Sequence, residues 1–351
     1  MSKFSPFAIL FTLSILFSQV QAAWLVKIED TEVPTKEFQE YIDFLKASGG
    51  AENVTKLLKD PEDLNTVLQS YIDKKVMLIV ANKAGYNRRN EKVVRFYNEG
   101  KSDFLMQVFL SIQLKMSSIR LTEEDVRATY KRMSSSPNRA FESLNEAERQ
   151  QLQQLTMVEK SQAAQKVYRK ELEKKYKVVR KKLDDFYIAE VESEKIKQTE
   201  FNDELDRQLK QMQATKEDLQ KRNPKQFDDM KNELRDQFIY RALVKKEMET
   251  TKFDATPTGR YALESYYDKG ITELFIQDTI ISKIEVTDSE KLEEYNRNKQ
   301  AYEKQNFDKV LDYLQNVIRE KKSQKVLANY LSEKKEEMVI KRNREELKKI
   351  I

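Results

Sequence analysis

One segment of this chain occurs twice, and that repetition limits the possible folds more than any single motif does. The chain reads Ser117-Ser118-Ile119-Arg120-Leu121-Thr122-Glu123-Glu124-Asp125, closing at Tyr130-Lys131-Arg132. It reads Ser282-Lys283-Ile284-Glu285-Val286-Thr287-Asp288-Ser289-Glu290, closing at Tyr295-Asn296-Arg297, 165 positions later. In each copy the alternating apolar positions predict a short strand. Thr followed by acids predicts an N-capped helix whose first-turn carboxylates suit the helix dipole. Other segments return in the same order. Leu25-Val26-Lys27-Ile28-Glu29 with Glu37-Phe38 is echoed by Ile188-Ala189-Glu190-Val191-Glu192 with Glu200-Phe201, at an offset of 163. Leu68 and Ile72 are echoed by Leu234 and Phe238, at an offset of 166. Gln165-Lys166-Val167, Leu172 and Lys175 match Gln324-Lys325-Val326, Leu331 and Lys334 at 159, which would place about six extra residues in the first copy near Ser134-Ser135-Ser136-Pro137. A period of this kind predicts a duplicated module. The fold class expected is mainly α with small β elements, in two tandem helical modules over 24–185 and 186–345.

Each module reads as strand, helix, helix, helix, strand, helix, long helix. Residues 24–28 form an apolar strand with Val33 beyond it, and Pro34-Thr35 opens a helix that Ser48-Gly49-Gly50 ends. Asp60-Pro61 opens the next, with Leu64, Leu68, Ile72, Val76 and Ile79 on one stripe and a stop at Ala84-Gly85. A third, apolar helix covers 91–116. Long polar helices cover 146–183, burying Leu152, Leu155, Val167, Leu172 and Leu183, and 307–345. Two strands separated by three helices predict a short strand pair formed at long range, with helices supplying most of the core.

What the chain lacks limits its chemistry. It has no His and no Cys, so the usual general base near neutral pH, the thiol nucleophile and the commonest zinc ligand are missing. Its six glycines form no phosphate-cradling loop. Asp184-Asp185 and Asp228-Asp229 are adjacent pairs, which diverge on a helix and read as solvated faces. No catalytic, cofactor-binding or metal-binding residue is assigned, and a non-enzymatic protein is expected. The 64 basic and 59 acidic residues are interspersed, unlike the concentrated charge of a nucleic-acid binder. Residues 1–22 read as an export signal: Lys3, an apolar run from Phe7 to Phe17, and Val20-Gln21-Ala22 before a cleavage point at Ala23. An uncleaved N-terminal anchor is the alternative. A cysteine-free exported chain fits a bacterial periplasm, with no stable membrane span after cleavage. The remaining candidates are surfaces: Phe104, Met106, Phe109, Tyr240, Tyr266 and Tyr267 can line an apolar groove for extended polypeptide, or serve as core.

The first copy resembles the core module of the SurA/PrsA-type periplasmic chaperones. The resemblance lies in Leu25-Val26-Lys27-Ile28-Glu29-Asp30-Thr31-Glu32-Val33-Pro34-Thr35-Lys36-Glu37-Phe38, in Leu68 to Leu78 continuing through Ala81-Asn82-Lys83-Ala84-Gly85, and in Thr122-Glu123-Glu124-Asp125-Val126 with Tyr130. Phe307-Asp308-Lys309-Val310, Tyr330-Leu331 and Ile340 are similar to that core's closing helix. The family's parvulin prolyl isomerase domain has no room after Tyr130 or Tyr295, and no histidine is present to serve it. The resemblance therefore implies an ATP-independent holdase for unfolded envelope or outer-membrane polypeptides, without isomerase activity. The alternatives are an envelope protein docking one fixed partner through its long helices, and a prolyl isomerase with an unrecognised site.

Overall fold

The computed structural model describes residues 23–49, 51–116, 119–133, 140–183, 186–302 and 307–350. The export signal and Ala22 lie outside them. Ala23 is the first described residue, and its carbonyl accepts from both the backbone and the hydroxyl of Thr35.

The chain is mainly α-helical with two small antiparallel sheets of three strands each. Strands β1 (Trp24–Ile28) and β2 (Thr31–Pro34) form a hairpin that turns at Glu29, whose φ is 53°. Helices α1 (Thr35–Gly49), α2 (Ala51–Lys59), α3 (Pro61–Lys83), α4 (Glu91–Gln113), α5 (Glu123–Met133) and α6 (Glu146–Lys175) follow, then β3 (Val178–Arg180). The order then begins again. Strands β4 (Tyr187–Val191) and β5 (Glu194–Lys197) turn at Glu192, φ 54°. Helices α7 (Gln198–Gln211), α8 (Lys216–Arg222), α9 (Pro224–Thr251), α10 (Pro257–Thr279), α11 (Asp288–Arg297), α12 (Lys299–Tyr302) and α13 (Phe307–Glu337) follow, then β6 (Ile340–Arg342) and α14 (Arg344–Lys348).

The same local chemistry starts equivalent helices. Asp60 caps α3 and Asn223 caps α9, each with proline at the first helical position. Asn90 caps α4 and Thr256 caps α10. These caps set offsets of 163 for α3 and α9 and 166 for α4 and α10. The expected match of Leu68 and Ile72 with Leu234 and Phe238 is therefore out of register by about one turn, and the counterparts of Leu234 and Phe238 are Tyr71 and Lys75. Along the long helices the offset is 162, since Leu152, Lys160 and Tyr168 occupy the places of Leu314, Lys322 and Tyr330. The Gln165-Lys166-Val167 match at 159 is thus out of register by nearly one helical turn, a coincidence between polar helices. The first copy carries three extra residues relative to the repeat at Thr122, not six.

The strands differ from the sequence expectation. Residues 119–122 and 284–287 are not strands. Their backbone is committed elsewhere: Lys160 donates to the Arg120 carbonyl (2.9 Å) and Lys322 to that of Glu285 (2.6 Å). Each first strand instead pairs locally in its hairpin and, on its other edge, with a distant strand. That distant strand comes from the opposite copy. β6 joins β1, placing Ile340 opposite Ile28, and β3 joins β4, placing Val178 opposite Val191. The long helices are shorter than expected for the same reason. α6 stops at Lys175 because Tyr176 turns extended, its hydroxyl donating to Glu247 Oε2 (2.7 Å), and Val178–Arg180 goes into the sheet. Leu155 and Val167, expected inside, are 37% and 59% exposed.

The hydrophobic cores exchange elements in the same reciprocal way. One core holds Leu25, Val26 and Ile28 of β1, Phe38 and Ile42 of α1, and Leu68, Tyr71 and Ile72 of α3. It is completed by Ile271 and Phe275 from the end of α10, with Leu327, Tyr330 and Leu331 of α13 packed against it. The other core holds Ile188 and Val191 of β4, Phe201 and Leu205 of α7, and Leu234, Ile239 and Leu243 of α9. It is completed by Leu105, Val108 and Phe109 from the end of α4 and by Leu172 of α6. Each core therefore draws on both sides of residue 186.

Helices α4 and α10 carry this exchange and cross face to face. Tyr266 stacks between Phe96 (5.1 Å) and Phe104 (4.7 Å), and the approach depends on Gly100 and Gly270. A Cβ on Gly100 would strike the Tyr266 hydroxyl, and one on Gly270 would lie 2.5 Å from Phe96 Cδ1. Gly270→Ala is expected to lower stability by about 1–3 kcal/mol through overpacking, despite alanine's better helix propensity. Chemical denaturation at unchanged m-value checks this.

Two smaller clusters cap the far ends of the long helices. Val126, Phe141 and Leu152 join α5 to α6, with Arg127 and Arg149 over the Phe141 ring. Val310, Leu314 and Ile318 join α13 to Val286 and Tyr295. A 30-residue helix such as α6 spans about 45 Å, so each cluster sits at the tip of an arm. Both tips are fastened alike. Thr122 and Asp125 cap each other reciprocally, as do Thr287 and Glu290, and a lysine from the long helix (Lys160 or Lys322) binds the acid of each pair. The Lys160 hydrogen bond and the Thr122 backbone N–H hold the Asp125 carboxyl down to about 2. The Lys322 bond likewise lowers that of Glu290. A carboxyl lowered on folding stabilises above its unfolded value near 4, and this contribution is lost as pH falls toward 2. Pepsin is therefore expected to cut near Tyr130 and Phe141 increasingly as pH falls from 4 to 2. Lys160→Met should weaken that dependence in the first arm alone, measured relative to an unstructured control peptide cut by the same pepsin, because the Thr122 N–H still holds Asp125.

Candidate functional site

The duplication provides an internal control for locating a site. Where equivalent positions in the two copies do the same packing, the fold explains them. Where one copy is apolar and closed and the other polar and open, the fold does not require the polar version.

The clearest such place is the seam between a long helix and the third helix of the core beside it. Between α13 and α3, Leu327, Leu331 and Met77 close the seam against the core. The equivalent residues between α6 and α9 are Gln165, Arg169 and Tyr240, and here the seam opens into a trough of about 600 Å³. Gln162, Gln165, Lys166 and Arg169 form one wall, and Asn232, Glu233, Asp236, Gln237 and Tyr240 the other.

Arg169 fixes one end of the trough, bridging Glu173 (2.9 Å) and Asp236 (2.9 Å), with Arg180 reinforcing the Glu173 contact at 2.8 Å. Among the described residues the side-chain amides of Gln162, Gln165 and Gln237 make no hydrogen bond, while Asn232 accepts one from Arg235 (2.9 Å). The Tyr240 hydroxyl is buried without a partner, and burial pushes it up to about 12, so it stays a protonated donor. A buried polar group left unpaired costs about 1–3 kcal/mol.

The trough continues onto the first arm. Leu155, Val158, Gln162, Gln165 and Arg169 follow a 3-4-3-4 spacing, which aligns them along one stripe of α6. Leu155 and Val158 are 37% and 51% exposed, so the stripe passes from an apolar ledge into an amide-lined channel. The arms hold most of the large exposed apolar side chains: Met133, Leu155, Val158 and Val167 on the first, Leu292, Tyr313 and Val326 on the second.

Of the aromatic and methionine residues singled out in the sequence, Tyr240 alone lines this trough. Phe104 and Tyr266 are brought together, but as a stack in the α4–α10 crossing. Phe109 is 1% exposed and packs edge-on against Phe253. Met106 packs on the second core, and Tyr267 lies beside Tyr97 with its hydroxyl on the Arg88 carbonyl. These residues do not form one groove.

A second open cleft of about 560 Å³ lies on the first core, lined by residues of α1, α3, α4 and α10 with Arg88. Among the described residues no group of three or more metal-ligating side chains converges, and no helix is long and apolar enough to cross a membrane. Comparison with protein-family models, curated proteins and solved structures finds no match to this chain.

Proposed function

We propose that this protein is an ATP-independent holdase of the periplasm, which binds extended stretches of unfolded envelope or outer-membrane polypeptides without isomerising prolines. The observation that supports this reading is the α6–α9 trough, open and amide-lined where its counterpart packs Leu327, Leu331 and Met77 against the first core.

An extended chain presents a backbone donor or acceptor about every 3.3 Å and alternates its side chains between two faces. Primary amides both donate and accept, so Gln162, Gln165, Asn232 and Gln237 can meet a backbone in either direction and at any sequence. The client's apolar side chains meet Leu155 and Val158 on the same stripe. A trough of about 600 Å³ holds only a few residues, so each engagement is weak and reversible, as a holdase requires.

The test is suppression of aggregation. An unfolded outer-membrane polypeptide diluted into buffer should stay soluble with equimolar protein and no nucleotide. Failure to suppress aggregation removes the reading. Recovery of one tight partner from an envelope extract, in place of many weak ones, would favour a fixed docking role. Catalysis of proline-limited refolding would overturn the non-enzymatic assignment.

A further inference from the structure

The cleft on the first core carries charges at three positions where the second core has none, although the second core has its own cleft with Glu204 and Arg241. Tyr71, Lys74 and Lys75 of α3 correspond to Leu234, Gln237 and Phe238 of α9, and Asp268 of α10 corresponds to Ser102 of α4. In the second core Leu234 and Phe238 pack as ordinary apolar residues. The fold is therefore built without these charges in one half. Half-buried ions are costly when a hydrophobic replacement of similar size is available.

The bonding in the cleft shows which functional group is left over. Lys75 pairs with Glu37, which also accepts from the Tyr71 hydroxyl (3.0 Å). Arg88 pairs with Glu264, and Arg260 donates to the Ala255 carbonyl (2.5 Å). Lys74, behind the wall, donates to Ser265 Oγ (3.0 Å). Every base in or behind the cleft therefore has a partner. Asp268 has none: among the described residues no donor bonds to its carboxylate, and burial pushes this carboxyl up despite Lys75, Lys74 and Arg88 nearby. Glu40 has only a 3.8 Å pair with the exposed Lys36. Tyr97, whose ring already has Lys101 Nζ over it at 5.1 Å, and Tyr261 line the cleft beside these acids, with Leu78, Pro257 and Leu263 supplying apolar surface.

We propose that this cleft binds an alkylammonium group, with Asp268 as its counter-ion and the Tyr97 and Tyr261 rings as its aromatic walls. An unpaired carboxylate in a partly desolvated cleft accepts a charge-assisted hydrogen bond, and aromatic faces attract the same cation. Leu78, Pro257 and Leu263 accommodate the methylene stem. Two sources supply this chemistry, a free aliphatic diamine and the lysine side chain of a polypeptide. The inference does not depend on the holdase reading, since the α6–α9 trough and this cleft share no residue.

Isothermal titration of the full-length protein with 1,5-diaminopentane and with a blocked Gly-Ser-Lys-Ser-Gly peptide tests it. At least one probe should bind saturably and shift the ring resonances of Tyr97 and Tyr261. Asp268→Asn should weaken binding by about tenfold or more, equivalent to roughly 1.4 kcal/mol. Asp268→Ser, which reproduces Ser102, should do the same while leaving the thermal midpoint unchanged or raised. Binding of the diamine alone identifies a free amine as ligand, and binding of the peptide alone identifies a lysine within a polypeptide. The proposal is overturned if neither probe saturates at millimolar concentration. It is also overturned if the ring resonances stay fixed at saturation, or if both folded Asp268 variants bind as tightly as wild type.

Discussion

Combining Gln165→Leu, Arg169→Leu and Tyr240→Met is expected to stabilise the protein while weakening the polypeptide holding proposed for the α6–α9 trough. These changes give the α6–α9 seam the residues that close the α13–α3 seam, namely Leu327, Leu331 and Met77. Each introduced side chain buries apolar surface that the polar residue leaves wet, and an unpartnered phenol hydroxyl is removed. Loss of Arg169 leaves Glu173 and Asp236 facing Arg180, which already contacts both at 2.8 and 3.6 Å. The net gain expected is roughly 1–2 kcal/mol, read as a higher denaturation midpoint at constant slope. Half-maximal suppression of client aggregation should require at least about ten times more protein, a loss of roughly 1.4 kcal/mol. Stability and holding would then move in opposite directions, which a simple packing defect cannot produce.

Cutting the chain between its copies should have the other large effect. A fragment of residues 23–185 keeps β1, β2 and α1–α3 but loses β6 and the end of α10. Ile271, Phe275 and Ile280 are then missing from its core, each worth about 1.5–3 kcal/mol when buried, together comparable to the whole stability of a typical domain. The same fragment exposes Leu105, Phe109 and Leu172, which belong to the other core. It is not expected to form a stable monomer. Mixed with residues 186–351, it should recover native helicity in a one-to-one complex, because β3 finds β4 and β6 finds β1 across the cut. Light scattering and circular dichroism check both statements. A stable folded monomer of either fragment would show that the exchanged elements are dispensable.

The repeat was legible in the sequence because capping chemistry is local. Asp60-Pro61, the Thr122 and Thr287 boxes and the apolar stripe of α3 are written in consecutive residues, and the structure forms helices at each. The strand exchange was not legible. Val178–Arg180 and Ile340–Arg342 are three residues each at the end of long polar helices, and nothing local says which hairpin they join. Pairing at that distance is decided by where α4 and α10 carry the chain, which depends on Gly100 and Gly270 permitting close approach. The trough was hidden for a related reason. Aligning the long helices on Gln165-Lys166-Val167 sets polar against polar, whereas the true offset of 162 sets Gln165 against Leu327 and Arg169 against Leu331. That contrast is the sequence signal for the site, and it emerges only once the register is known. Aromatic content pointed instead to Phe104, Phe109 and Tyr266, which build the crossing and the core.

The polar cleft on the first core follows the same logic. Lys74, Lys75 and Asp268 read as an ordinary solvated helix face until their counterparts Gln237, Phe238 and Ser102 are set beside them. In a duplicated protein, divergence between equivalent buried positions marks function more sharply than residue type alone. The α6–α9 trough is polar where its counterpart is apolar, whereas the first-core cleft differs from its counterpart in which charges it carries, since the second core has its own small cleft lined by Glu204, Gln237 and Arg241.

Photo-crosslinking from single equivalent positions decides whether the α6–α9 trough binds polypeptide. A benzophenone side chain placed at Gln165, in the open trough, should form an adduct with an unfolded outer-membrane polypeptide. The same side chain at Leu327, in the sealed seam, should form little or none. Equal capture at both positions, or capture at Leu327 alone, would contradict the assignment of the α6–α9 trough as the polypeptide-binding site.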